Sequence, residues 1–107
     1  MSPPVVPWMT KADRYILELL DHVGFALPPK AIGLGLREKY GDDAPTWRHV
    51  ARRLRDDLSE HGLVEQPYEG EVRGYYAISE LGKRYLHDPH AKSEEFTARV
   101  SEPDGEE

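Results

Sequence analysis

The sequence predicts an α+β fold in which three helices are followed by a β-hairpin and a short fourth helix. Apolar residues recur at helical spacing in residues 11–23, 31–40 and 46–61. A strand-like run, residues 63–67, and a second run rich in aromatic and β-branched residues, 75–78, then flank a loop with two glycines, which is the pattern of a hairpin. Ser79 opens the last segment, as the N-cap residue of a helix commonly does.

The first predicted helix spans residues 11–23, between Thr10 as N-cap and Gly24 as the stop signal. We expect Trp8 and Met9, which precede it, to pack back onto the body. Its predicted buried face consists of Ala12, Ile16, Leu19, Leu20 and Val23. Leu17 lies off this face, so we expect it to be either a partly exposed leucine or a dimer contact.

A short apolar segment, residues 25–27, follows and is compatible with a small edge strand. The second helix is predicted over residues 31–40, after two prolines of the kind that start helices. Gly33 and Gly35 weaken it by about 1 kcal/mol each relative to alanine. We therefore expect these glycines to allow close packing of two helices. Residues 41–45 form the turn into the next helix.

The third helix, residues 46–61, is amphipathic and arginine-rich. Its apolar face contains Trp47, Val50, Ala51, Leu54 and Leu58, and the rest of its surface carries Arg48, His49, Arg52, Arg53 and Arg55. Thr46 opens it as a candidate N-cap, and Gly62 ends it. Because Trp47 shares the apolar face, a core anchor is favoured over a platform for a base or ligand.

Residues 63–67 and 75–78 are the predicted strands of the hairpin, with Tyr76 and Ile78 facing the core and Tyr75 facing outward. A last helix is predicted over residues 79–86. Three helices followed by a hairpin is the element order of a winged helix-turn-helix domain. The second and third helices are then the helix-turn-helix pair, and the hairpin is the wing.

The charge is unevenly distributed. The chain of 107 residues has a net charge of −6. Residues 88–107 hold seven acids and two bases, whereas residues 1–87 hold 13 acids and 12 bases. We expect an irregular arm over residues 1–9, one domain over residues 10–87, and an acidic tail over residues 88–107. The tail is predicted to be disordered, or to contain a frayed helix around residues 90–100.

Several functions are disfavoured by what the sequence lacks. Without cysteine there can be no disulfide and no thiolate metal site. No signal peptide and no apolar run of about 18 residues is present. We therefore expect a soluble, cytoplasmic protein that does not associate with a membrane. The histidines His87 and His90 around Asp88 are too weak a pattern for a metal. No catalytic motif appears, and we expect no enzyme, no cofactor and no small-molecule ligand.

Three segments also resemble a known family. Residues 8–10 leading into 12–20, residues 50–55 running into 60–65 with the motif HGLVE, and residues 74–86 with GYYAI-S-ELG-YL are similar to haloarchaeal phage phi-H repressor-like winged-helix proteins. The resemblance covers roughly residues 8–87. It implies a small transcriptional regulator, usually dimeric, from a salt-loving archaeon. An acidic tail would suit a protein from such a host.

These observations predict a sequence-specific DNA-binding regulator, a repressor in the first instance, that acts as a homodimer on double-stranded DNA. We expect helix 46–61 to enter the major groove, with Arg48, His49 and Arg52 at base edges. The other predicted DNA-binding residues, mainly for phosphate, are Thr46, Arg53, Arg55 and Arg73. One alternative is a solvated arginine face held by Asp56 and Asp57 in i, i+4 pairs. Another is a winged-helix module that docks protein, which the net negative charge and the acids of the wing favour.

Overall fold

The computed structural model describes residues 3–99 and confirms the α+β fold. Its elements are α1 (Lys11–Val23), α2 (Pro29–Tyr40), α3 (Trp47–Arg53), β1 (Val64–Glu65), β2 (Ala77–Ile78) and α4 (Glu80–His87). Short 3-10 helices occupy Gly41–Asp43 and Ser93–Phe96, and a π-helical turn, Leu54–Leu58, continues α3. Within residues 3–99 no helix has the length and hydrophobicity needed to cross a bilayer.

Helix α1 turns a different face to the core from the one predicted. Its buried residues are Asp13, Ile16, Leu17 and Leu20, which follow the helical spacing i, i+3, i+4, i+7. Leu17 is fully buried within the chain, so the prediction of a partly exposed leucine or a dimer contact is wrong. The error arose because a charged residue, Asp13, occupies one position of the buried face and hides its periodicity.

The glycines of α2 allow two close approaches, as expected. A Cβ atom at Gly33 would lie 2.7 Å from Cβ of Trp47, and one at Gly35 would lie 3.0 Å from Cδ2 of Leu19. These separations are tighter than side chains normally tolerate. Gly33 thus lets the start of α3 pack directly on α2. Gly35 leaves space for the Leu19 side chain of α1 against α2.

The predicted helix 46–61 is helical through Leu58 but changes its winding on the way. After Arg53 the backbone widens into the π-helical turn, where Ser59 N donates to Leu54 O at 3.0 Å, five residues back. Val50, Leu54 and Leu58 are fully buried. Gly62, with φ of 77°, then reverses the chain toward the hairpin.

The wing is an antiparallel pair, with Val64 opposite Ile78 and Glu65 opposite Ala77. Leu27 joins the same sheet through a pair of 2.9 Å backbone hydrogen bonds with Tyr76, so the segment 25–27 contributes a single bridge instead of a full strand. Tyr76 and Ile78 are buried, which confirms the predicted orientation of this strand.

Helix α4 is fixed at its start to the base of the wing. Ser79 Oγ accepts from Gly82 N at 3.1 Å, as the N-cap prediction required, and it also donates to Gly62 O at 2.6 Å. Gly82 itself is buried and faces Leu63 and Ile78. The hairpin and α4 therefore share one tightly packed junction.

Replacing Gly82 by alanine should destabilise the domain by about 2 kcal/mol. The added Cβ would collide with the Leu63 carbonyl oxygen and lie 2.6 Å from Cγ1 of Ile78. The carbonyl cannot move cheaply, because it accepts a hydrogen bond from Ser79 N. Urea unfolding measures the effect. The matched control is Gly70→Ala, because a Cβ there meets nothing within 4 Å. Equal midpoints for the two variants would show that the junction is not tightly packed.

The start of the acidic tail differs from the predicted disorder. Phe96 is fully buried, with its ring edge-on to Tyr85 at 5.5 Å between centroids. Its carbonyl accepts from Trp8 Nε1 at 2.8 Å, so the N-terminal arm also packs on the body, as expected for Trp8. Arg84 Nε donates to Glu95 Oε1 at 2.6 Å. A short 3-10 helix, Ser93–Phe96, lies in the stretch where a frayed helix was the alternative to disorder. Residues 100–107 lie outside the described part.

Candidate nucleic-acid interface

Thr46 starts the candidate interface by capping α3. Its side-chain oxygen Oγ1 accepts from His49 N at 3.2 Å, which satisfies one of the free N–H groups at the helix start. The capping role expected for Thr46 is confirmed. The residue is exposed, and a hydroxyl that accepts one hydrogen bond can still donate its own hydrogen to a second group.

Arg48, His49 and Arg52 lie on the outward side of α3. Arg48 and Arg52 are exposed, and His49 is half-buried. Arg52 Nη2 lies 2.9 Å from His49 Nδ1. Because a guanidinium can only donate, His49 Nδ1 accepts this bond and Nε2 carries the ring hydrogen. His49 therefore orients Arg52.

Arg55 is paired with its neighbour Asp56 in the π-helical turn. Arg55 Nε donates to Asp56 Oδ1 at 3.0 Å, and this hydrogen bond raises the pKa of the Arg55 guanidinium. Both side chains are at least half exposed. Of the two i, i+4 pairs in the alternative of a solvated arginine face, Arg53–Asp57 is present at 2.8 Å, and Arg52–Asp56 is not among the ion pairs of residues 3–99. Asp56 thus reduces the positive charge at Arg55. Arg52 instead contacts His49.

Arg53 does not lie on the outward face, and here the predicted site needs correction. Its Nε and Nη2 donate to the two carboxylate oxygens of Asp13 at 2.8 and 2.6 Å, and Nη1 lies 2.8 Å from Asp57 Oδ2. The bond to Asp13 raises the pKa of Arg53. Its side chain is only 15% exposed, and that of Asp13 is 0% exposed. Arg53 is a structural residue that ties α3 to α1, so it is removed from the phosphate-binding set.

Asp13 was missed as a key residue by sequence reasoning. Besides the two bonds from Arg53, its Oδ2 accepts from Thr10 N at 2.8 Å, which completes a capping box at the start of α1. Arg53 Nη2 also donates to Trp8 O at 3.3 Å. An acid three residues after a threonine is the signal for the capping box, but no local pattern indicated its distant partner.

Trp47 is not the predicted core anchor. Its residue surface is 40% exposed. Its ring has Lys30 Nζ at 5.6 Å and the Arg48 guanidinium carbon at 5.2 Å from its centroid. Gly33 explains the displacement, because the start of α3 lies so close to the α2 backbone that no space remains between them for an indole. The ring is therefore displaced to the surface.

The wing loop carries one base, Arg73. Arg73 is exposed in the loop between β1 and β2, where Gly74 N donates to Gln66 Oε1 at 3.1 Å. The acids Glu69 and Glu71 are exposed in the same loop. Within residues 3–99 no group of three or more acidic or histidine side chains is arranged to hold a metal ion.

The elements and the site together define a winged helix-turn-helix domain: α2 and α3 are the helix pair, and the β1–β2 hairpin is the wing. A structure comparison finds the PhiH1 repressor-like protein from Haloarcula marismortui, at a TM-score of 0.60 and 27% sequence identity. The match covers 79% of this chain and 84% of that one. The resemblance to phi-H repressor-like proteins is thus confirmed. No protein-family model matches the sequence, and a search of curated proteins finds no match.

Proposed function

We propose that this protein is a sequence-specific DNA-binding transcriptional regulator, a repressor, that acts in the cytoplasm without enzymatic activity. The observation that carries the proposal is the exposed surface of α3, where Arg48 and the His49-oriented Arg52 project from a capped helix. The similar structure is that of a repressor-like protein. An arginine held by a neighbour is suited to bidentate contact with guanine O6 and N7.

The residues of the site divide into two proposed roles. Arg48, His49 and Arg52 contact base edges in the major groove, while Thr46, Arg55 and Arg73 contact phosphates. Arg55 contributes less than a free arginine would, because binding a phosphate must compete with its bond to Asp56. Arg53 contributes indirectly, because its hydrogen bonds to Asp13 hold α3 against α1.

We further propose that the protein binds as a homodimer to a palindromic site. A two-fold arrangement would place two copies of α3 one turn of DNA apart, about 34 Å. With few bases and a net charge of −6, the phosphate contribution is small. In the salt-rich cytoplasm that the family resemblance implies, screening weakens it further, so base contacts must supply most of the discrimination.

Selection from random and genomic duplexes tests this function. Immobilised protein should enrich a short, two-fold symmetric motif over several rounds, and a duplex carrying the motif should bind more tightly than a scrambled duplex of equal composition. A typical ratio is about 10³ or more. Equal recovery of all sequences, or no recovery of DNA at low salt, would contradict the proposal. The second result would favour the alternative of a protein-docking module. The acids Glu69 and Glu71 of the wing are the observation that favours this alternative.

A further inference from the structure

A cleft beside the proposed DNA-binding face has the composition of a small-molecule site. It lies between α2 and the start of α3 and has a volume of about 590 Å³. Ligand pockets of proteins typically measure about 300–1,000 Å³. Gly33, Leu34 and Trp47 supply its apolar surface, and Leu34 and Trp47 are exposed to 50% and 40%. Large apolar side chains displayed side by side in a concavity are the usual floor of such sites.

The charge around this floor is positive. Lys30, Arg37 and Arg48 line the cleft, against one lining acid, Asp42. No ion pair of these three cations is present in the part of the chain that the structure describes, residues 3–99. Lys30 and Arg48 stand over the Trp47 ring. A ligand that stacks on the indole therefore meets cations that form no ion pair within residues 3–99.

We propose that this cleft binds a planar aromatic carboxylate, and that its occupancy weakens DNA binding. The aromatic body would stack on Trp47 and Leu34, and the carboxylate would accept from Arg37 and Lys30. The second half of the proposal rests on the proposed function, because Thr46 and Arg48 belong both to the cleft and to the DNA-contacting set. A ligand in the cleft would occupy Arg48 and stand where the DNA backbone approaches Thr46.

The two tryptophans of the chain make binding directly observable. In ¹H–¹⁵N spectra of the full chain, the Trp47 indole signal should shift saturably with 2-naphthoate, the probe. The Trp8 indole, whose Nε1 is bonded to Phe96 O, should stay in place and serve as the internal control. The neutral 2-naphthamide should bind at least about tenfold more weakly, because it lacks the charge that strengthens the hydrogen bonds. The proposal fails if Trp47 does not respond, or if the acid and the amide bind equally.

Two substitutions separate the cleft from the DNA-contacting face. Arg37→Gln should weaken 2-naphthoate binding about tenfold and leave DNA affinity unchanged, because Arg37 is not in the DNA-contacting set. Arg52→Ala should do the reverse, since Arg52 does not line the cleft. Equal loss of DNA affinity in both variants would show that DNA itself uses the cleft and would overturn the ligand proposal.

Competition tests the regulatory half. 2-Naphthoate should raise the Kd of the wild-type protein for its selected duplex, and the Arg37→Gln variant should need about tenfold more 2-naphthoate for the same rise. An unchanged Kd in the wild type would refute antagonism. If no duplex binds at all, the proposed function fails, while the Trp47 titration still decides whether the cleft takes an aromatic anion.

Discussion

Asp13→Ala should lower the free energy of unfolding by about 3 kcal/mol, the largest effect expected from a single substitution in this domain. The carboxylate is fully buried and receives two hydrogen bonds from Arg53 and one from Thr10 N. Its removal leaves the Arg53 guanidinium with a largely buried charge and breaks the capping box of α1. Urea unfolding followed by circular dichroism measures the change.

Asp57 provides the matched control for Asp13. It also pairs with Arg53, at 2.8 Å, but its side chain is 27% exposed and lies one helical turn away. Asp57→Ala should therefore cost no more than about 1 kcal/mol. The double variant Asp13→Ala with Arg53→Met should be more stable than Asp13→Ala alone, because it no longer holds a largely buried guanidinium whose one remaining acid partner, Asp57, is partly exposed. If Asp13→Ala and Asp57→Ala had equal effects, the buried pair would not be what ties α3 to α1.

Arg52→Ala should weaken binding to the selected operator by about 1–3 kcal/mol and relax the preference at one base pair of each half-site. Its guanidinium is exposed and is oriented by His49, so its loss removes a positioned base contact and not a structural one. Fluorescence anisotropy with the operator and with duplexes altered at single positions measures both effects. The unfolding midpoint should remain that of the wild type.

Arg55 is the control within the same helical segment. Arg55→Ala should weaken binding by a smaller and similar amount for every duplex, as expected for a phosphate contact already shared with Asp56. If Arg55→Ala changed the base preference and Arg52→Ala did not, the proposed roles of the two arginines would be reversed.

Local signals in the sequence were sufficient for the elements. Thr10, Thr46 and Ser79 each act as the N-cap that their residue type and position indicate. The alternation of Tyr76 and Ile78 correctly gave the inward face of the wing. These features depend on residues within one or two turns of each other, so composition and spacing report them directly.

The features that were missed depend on contacts between distant parts of the chain. Asp13 is buried because Arg53, 40 residues later, meets it across two helices. Phe96 is buried where its ring packs on Tyr85 and its carbonyl is bonded to Trp8, 88 residues earlier in the sequence. Trp47 matches the apolar face of its helix by spacing, yet the close approach of Gly33 displaces its ring to the surface. The spacing of apolar residues along one helix does not show which residues of other helices pack against it.

Protection of guanine N7 from dimethyl sulfate is the most direct test of the central claim, that the outward face of α3 contacts bases in the major groove, because N7 lies in that groove. On the selected operator, the wild-type protein should protect guanines at two symmetric positions about one helical turn apart, and Arg52→Ala should lose that protection at protein concentrations that still saturate the duplex. Operator binding without any change in N7 reactivity would contradict the account.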